Sequence, residues 1–433
     1  MSAELTWSST IPPASSEAEI RTHISPRLAS GLLFLLITLT TLDLAPEVKS
    51  SNFSAGIQTL VRLGICAACG LYGLLFLPCT LPRLLSFPGA WTVLFGLWAL
   101  VTVPFSVSPL FSASAVFALW CIVLFAPAVV MHLGEQRTLQ VLLNALLCFV
   151  AVNWLLYFFV PSLGRSLFEM PDGEIIYRFG NDAQQLGLQI TWAIGFLLAL
   201  SFSQVRRWSS TLLILLPLVI TLYLTQSRTA MLTTLAVGSF VCWFYASTRT
   251  RTAAVVLGAL GLLLTIGGLF IADGGFDFQR VARSVSRSGD ADEIQNLTGR
   301  TAVWSHAWER IGESPVVGCG YGCSRFVMDD ERKFGNFMPN HAHNLYLNAA
   351  LCLGFPGAAL IAAMFIYQAV RVWRHPSIVP GIAVVFVFVA GISEYLLFGP
   401  MPRSATAIWL IALFWQPVGA ESFSHPGRKP HAI

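Results

Sequence analysis

The chain has 433 residues, 55% of them hydrophobic and 11% charged, against roughly 25% charge in soluble domains, which excludes a water-soluble globular protein. Its net charge of +4 comes from cations spread along the whole chain, leaving no basic tract of the kind that binds nucleic acid. No Cys/His spacing matches a zinc site.

The first 27 residues are polar, rich in Ser, Pro and Glu, and lack a basic stretch leading into a cleavage site, so no removable signal peptide is expected. Apolar runs then recur at 28–45, 58–77, 89–105, 112–131, 139–160, 185–204, 209–225, 229–246, 252–272, 345–368, 377–398 and 404–418. Each approaches the ~20 residues that cross a bilayer as helix, and backbone in lipid must satisfy its own hydrogen bonds. The expectation is an all-α polytopic membrane protein of about twelve transmembrane helices. It forms one domain over 28–418, between tails at 1–27 and 419–433. The runs at 89–105 and 404–418 are short, which leaves about eleven helices, or a re-entrant segment, as alternatives. The alternating pattern of a membrane barrel is absent.

Lys and Arg resist translocation in short loops. With the N-terminus inside, the inner short segments hold Arg206, Arg207, Arg249, Arg251, Arg371 and Arg374 among others, while the outer ones hold only Lys49, Arg165, Arg178, Arg228 and Arg403. Both termini are therefore expected in the cytoplasm, with the long segment 273–344 on the opposite face. Seven of the nine cysteines lie in or beside apolar runs and read as small packing residues. Cys319 and Cys323, in GCGYGCS on the outer face, stand either as a tight disulfide or as free thiols.

The outer face gathers three unusual pieces: residues 161–184, the turn TQSRTAML around Arg228, and 273–344. Within the last, LTGRTAVWSHAWERIGES reads as a short amphipathic helix ended by Pro315 and the glycines that follow. DADE at 290–293 reads as solvated acids before a metal site. Asp43, Arg62 and Glu394 lie in or near apolar runs, where ionisable groups are functional suspects; for Arg62 and Glu394 a place near a helix end weakens the case.

Arg228 sits between two long runs, where a guanidinium either snorkels to headgroups or takes a partner. Arg300 opens the amphipathic helix and Arg178 precedes another run. Arginine binds phosphate through a planar fork that stays protonated, so several on one face make a diphosphate site. A diphosphate leaves a sugar with charge stabilisation alone, whereas an incoming hydroxyl must lose its proton, a step suited to histidine. His343 and His341, in HAHNLYLNAALCLGFPG, supply that group. The plainer alternative is an interfacial histidine ahead of a transmembrane helix.

LTGRTAVW, ESPVVGCGYG and HAHNLYLNAALCLGFPG together resemble the O-antigen ligase family of bacterial membrane glycosyltransferases, which also includes O-antigen and exopolysaccharide polymerases and protein O-oligosaccharyltransferases. Its signature of His, then Asn, Ser or Gln, nine residues, Gly, two residues, and Gly, Thr or Tyr is filled by His343, Asn344, Gly354 and Gly357. Arg228 and Leu232 fill a second motif. The resemblance is best over 178–357. FGNDAQQLG departs from the polar element of many relatives, with Asn181 or Gln185 standing in.

The resemblance implies a C-type glycosyltransferase architecture in the bacterial inner membrane, with a periplasmic site. It implies transfer of a glycan from a polyprenyl diphosphate carrier to an acceptor hydroxyl, without metal or cofactor. The acceptor would be lipid A core, a lipid-linked repeat or a protein. His343 would be the base or the acceptor-positioning residue, with Asn344 and His341 in support, and Arg228 and Arg300 would bind the diphosphate; Arg178 is added more weakly, on its position alone. A transporter or flippase of lipid-linked glycans is the rival from another class; its internal repeats and broken helices in matching positions are not visible.

Overall fold

The computed structural model describes residues 26–42, 56–169, 175–180, 182–247, 252, 300–328, 339–395, 397–399 and 404–415. The expected run at 252–272 apart from its first residue, the stretches 273–299 (with DADE at 290–293) and 329–338 of the long segment, Asp43, Asn181, Arg403 and both tails lie outside the described residues.

The apolar runs form helices: α1 (Pro26–Thr41), α2 (Ile57–Leu75), α3 (Leu77–Leu85), α4 (Gly89–Thr102) and α5 (Pro109–Phe159). After a hairpin come α6 (Ala183–Phe202), α7 (Trp208–Leu224) and α8 (Arg228–Tyr245). The amphipathic helix α9 (Arg300–Glu313) precedes α10 (Leu345–Arg374), α11 (Ile378–Gly391) and α12 (Ser404–Phe414). Among the described residues α2, α5, α6 and α10 are long and apolar enough to cross a bilayer. The pair α3 and α4, with the short 3-10 turn that follows, is bent by 93° and forms a broken or re-entrant span, while α1, α7, α11 and α12 are shorter apolar helices. The protein is a helical membrane protein.

Two expectations change, at the hairpin and at the end of the 377–398 run, and two are refined. The chain is not all-α, because Arg165–Glu169 (β1) and Ile175–Phe179 (β2) pair antiparallel in a hairpin. β-branched and aromatic residues in IIYRF favour the extended form, and the Phe179 ring anchors it against Trp154 and Tyr157 of α5. The run at 89–105 forms the second arm of the pair bent by 93°, in keeping with the re-entrant alternative read from its length. The runs at 112–131 and 139–160 are two helices, as expected, joined within α5 by a break at Gly134 (φ 67°, ψ 177°), a conformation glycine adopts freely. The run at 377–398 stops being helical at Gly391, and the chain beyond it turns into a polar cluster.

α5 forms the middle of the bundle, packed on α1, α2, α6 and α12. α12 is buried along its whole length and α6 along most of it, as helices apolar on all sides must be when they lie inside a protein. α7 instead leaves Leu212, Leu213 and Leu216 exposed, a surface suited to lipid. α6 and α8 touch closely at Gly187, where an added Cβ would stand 2.7 Å from the Ala230 methyl. Polar groups in this dry layer pair with each other: Thr191 with Thr234 at 2.7 Å, and Ser404 donating to Gln189 Oε1 at 2.7 Å.

Candidate functional site

The N-terminal ends of α6, α8, α9 and α10 meet the C-terminal end of α11, and Glu394 stands at their junction. Only 2% of this residue is exposed. Its Oε1 accepts from Arg300 Nη2 at 2.6 Å and from Gln184 Nε2. Its Oε2 lies 4.0 Å from His343 Nδ1. A buried carboxylate is tolerated only when its charge and lone pairs are met, and Arg300 with Gln184 meets them here. The segment carrying it is fixed on both sides. Thr229 Oγ1 and Ser393 Oγ share a bond of 3.1 Å. Further along, the Phe398 amide donates to Thr406 Oγ1 at 3.0 Å.

The two histidines differ in what their nitrogens do. His341 Nδ1 accepts the backbone N–H of His343 at 3.2 Å, which assigns it a neutral ring with the proton on Nε2. The His341 and His343 rings lie 4.2 Å apart. His343 Nδ1 is buried and makes no hydrogen bond, although 22% of the side chain is exposed. His343 also sits at φ 47°, a left-handed conformation costing a side-chain-bearing residue about 1–2 kcal/mol.

Neighbouring bonds hold that strain in place. The Ala342 amide donates to Asn348 Oδ1 at 3.1 Å, and the Leu347 amide to Asn344 Oδ1 at 2.9 Å, capping α10. Asn344 Nδ2 then donates to the Ile392 carbonyl at 2.9 Å. Asn344 thus ties the histidine turn to the chain that carries Glu394.

Arg228 is the first residue of α8, capped by Ser227, and is half-buried beside Thr229 and its bond to Ser393. Arg178 lies on β2, and its Nε donates to the Thr225 carbonyl at 2.9 Å, bracing the turn into α8. The structure therefore gathers His343, His341, Asn344 and Arg300 around Glu394, with Arg228 on the adjoining turn and Arg178 bracing that turn from β2. Gln184, rather than its neighbour Gln185, enters the cluster; the Gln185 amide is taken by the Asp182 cap at 3.1 Å. Gln184 was legible only as part of a polar interruption, and Glu394 only as an ionisable residue near the end of an apolar run.

The second half of the histidine stretch is dry and architectural. α10 breaks at Gly354 (φ 66°), where an added Cβ would lie 2.0 Å from the Val316 carbonyl oxygen. The loop before Tyr321 fills the break. Phe355 N–H donates to Pro315 O at 2.8 Å, Cys319 N–H to Leu351 O and Gly320 N–H to Cys352 O, both at 2.9 Å. Trp98 Nε1 donates to Leu353 O at 2.9 Å. Cys319 and Cys323 are free thiols, which decides between the two alternatives read from GCGYGCS. A hydrogen bond to Cys352, then burial, pushes the Cys319 thiol well above its usual range. Cys323 lies 3.1 Å from Ser106 Oγ, and burial pushes its thiol up to about 11. Among the described residues no three of His, Cys, Asp and Glu gather as metal ligands.

Residues 212–362 match the family model Wzy_C, O-Antigen ligase. No curated protein matches the chain. The matched span holds Arg228, Arg300, His341, His343, Asn344, Gly354 and Gly357, and it ends before Glu394.

Proposed function

Because the chain carries a domain of the O-antigen ligase family, whose members are glycosyltransferases of the ligase or polymerase type, we propose that it moves a glycan from a polyprenyl diphosphate carrier to an acceptor hydroxyl. One observation carries this reading: a guanidinium, a buried carboxylate and a histidine with an uncommitted nitrogen share one junction. The acceptor oxygen attacks the anomeric carbon, and its bond forms as the bond from that carbon to the diphosphate oxygen breaks. The hydroxyl proton passes to His343, and the polyprenyl diphosphate departs with the electron pair. Arg300 and Arg228 meet the charge that develops on the leaving group, which needs no metal, and Arg178 holds the turn that carries Arg228. His341 and Asn344 fix the His343 backbone. A single base, with the one carboxylate of the junction held by Arg300 and Gln184 instead of acting as a nucleophile, predicts inversion at the anomeric carbon; NMR of the product linkage tests it.

The site lies on the periplasmic side of the inner membrane in this reading, with both termini cytoplasmic and a single domain over 28–418 of about twelve helices in the C-type arrangement. Grooves between helices receive the polyprenyl chain. The charged groups gather at one end of the bundle, which favours a transferase over a transporter, whose ionisable groups belong near mid-membrane.

Purified protein in lipid, given a polyprenyl-diphosphate glycan and each acceptor separately, tests the proposal. Transfer to lipid A core that disappears in Arg228→Ala and His343→Ala identifies a ligase. Chain growth on a lipid-linked repeat identifies a polymerase, and transfer to Ser or Thr of a protein an oligosaccharyltransferase. Glycan translocation without any new glycosidic bond overturns it.

A further inference from the structure

The contacts of Glu394 contain a conflict. One carboxylate faces three cationic or hydrogen-bonding partners, and only two of them are engaged. Oε1 is taken by Arg300 and Gln184, while Oε2 stops 4.0 Å from His343 Nδ1, beyond hydrogen-bond range. That nitrogen is left buried and unsatisfied, a state that native proteins seldom leave unexplained. Meanwhile the guanidinium assigned to the donor diphosphate is already occupied by a protein anion.

We infer that Glu394 is a positioning residue that holds Arg300 while the donor is absent and passes to His343 when a diphosphate takes the guanidinium. The inference rests on the donor chemistry proposed above. A diphosphate outcompetes one carboxylate for an arginine fork because it brings more charge and more acceptor oxygens. Arg300, with 22% of its side chain exposed at the first turn of α9, can swing toward it. Glu394 lies beyond the last residue of α11, so its side chain is not tied to a helix face, and Gln184 remains on Oε1 to steady it. A shift of about 1 Å brings Oε2 into range of Nδ1–H. Nδ1 then carries the proton, its ring is oriented, and Nε2 is left as the base for the acceptor hydroxyl. The base is thereby set only when a donor is in place.

The test measures polyprenyl diphosphate binding and donor-dependent transfer in nanodiscs for wild type, Glu394→Gln and Glu394→Asp, with thermal unfolding recorded for each. Glu394→Gln removes the anion that competes for Arg300. It is expected to bind polyprenyl diphosphate about tenfold more tightly and to lower donor KM, while kcat falls about 100-fold. Glu394→Asp keeps the charge and recovers part of kcat. In an Arg300→Ala background, the tightening by Glu394→Gln disappears, as expected of a coupled pair. A merely structural carboxylate would lose binding and turnover together. Glu394→Gln that weakens binding, or leaves kcat unchanged, overturns the inference. Should Glu394→Gln prove unstable, Glu394→Asp decides: unchanged binding and kcat overturn it. If wild type neither binds polyprenyl diphosphate nor transfers from it, the donor reading itself falls, and this inference with it.

Discussion

His343 and Gly354 lie in one short stretch and both stand at positive φ, 47° and 66°, yet their surroundings have nothing in common. Gly354 breaks α10 against a dry loop whose amides and carbonyls complete the hydrogen bonding of the break, and glycine adopts that conformation without penalty. His343 adopts its own against a preference of about 1–2 kcal/mol, in a cluster of charges with one nitrogen unsatisfied. At Gly354 only architecture is needed, and the left-handed residue is a glycine. Where a side chain must be delivered to a charged junction, the strain is tolerated, as it is at functional sites generally.

Replacing His343 by Gly separates the two contributions most sharply. Transfer is expected to fall about 10²–10⁴-fold with the loss of the base, while thermal unfolding shows a gain of about 1 kcal/mol from the relieved backbone. Equal loss of stability and activity would mean that the histidine turn is only structural. Gly354→Ala is the mirror image. The methyl would meet the Val316 carbonyl oxygen, and left-handed strain with overpacking is expected to destabilise by about 2–5 kcal/mol. Transfer per folded molecule should be preserved, as measured on the fraction surviving size-exclusion chromatography.

Asn344→Ala should give a smaller effect on both sides. It loses the cap of α10, worth about 1 kcal/mol, and the bond to Ile392 that aligns the two walls of the site; a unfolding shift accompanied by a raised acceptor KM would show both. The smallest effect near neutral pH belongs to the loop thiols. With its thiol at about 11, Cys323 carries at pH 8 roughly one thousandth of its population as thiolate, so maleimide labelling of the folded protein should be negligible. An unfolded thiol ionises near 9, the folded one higher, so this contribution to stability is intact below about 9 and is lost as pH rises toward 11.

The helices were legible because bilayer thickness sets the length of an apolar run regardless of tertiary detail. His343 and Asn344 were legible because they stand at the polar edge of such a run, and Arg300 because it opens an amphipathic helix on the face that also holds Arg228 and Arg178. The hairpin at 165–179 was hidden because five-residue strands leave little periodicity to read. Glu394 was set aside for lying near a helix end, and that location is the reason it can reach Arg300, Gln184 and His343 together. Gln184 escaped notice beside Asn181 and Gln185 because the rotation of α6 decides which amide faces inward. The thiol contact of Cys319 is with Cys352, a residue outside its own loop, so local spacing with Cys323 carried no information about it.

The break at Gly354 also constrains how the molecule is assembled. The carbonyls of Leu351, Cys352 and Leu353 and the amide of Phe355 find their partners in Cys319, Gly320, Trp98 and Pro315. A helix delivered alone into hydrocarbon would leave such groups bare, each at a penalty of several kcal/mol. Three of the four partners lie on the segment made just before α10, so that segment is already synthesised and waiting when the helix arrives. Trp98, made far earlier, must hold its indole N–H in reserve until then, which makes the docking of α10 onto α4 a late step of membrane integration.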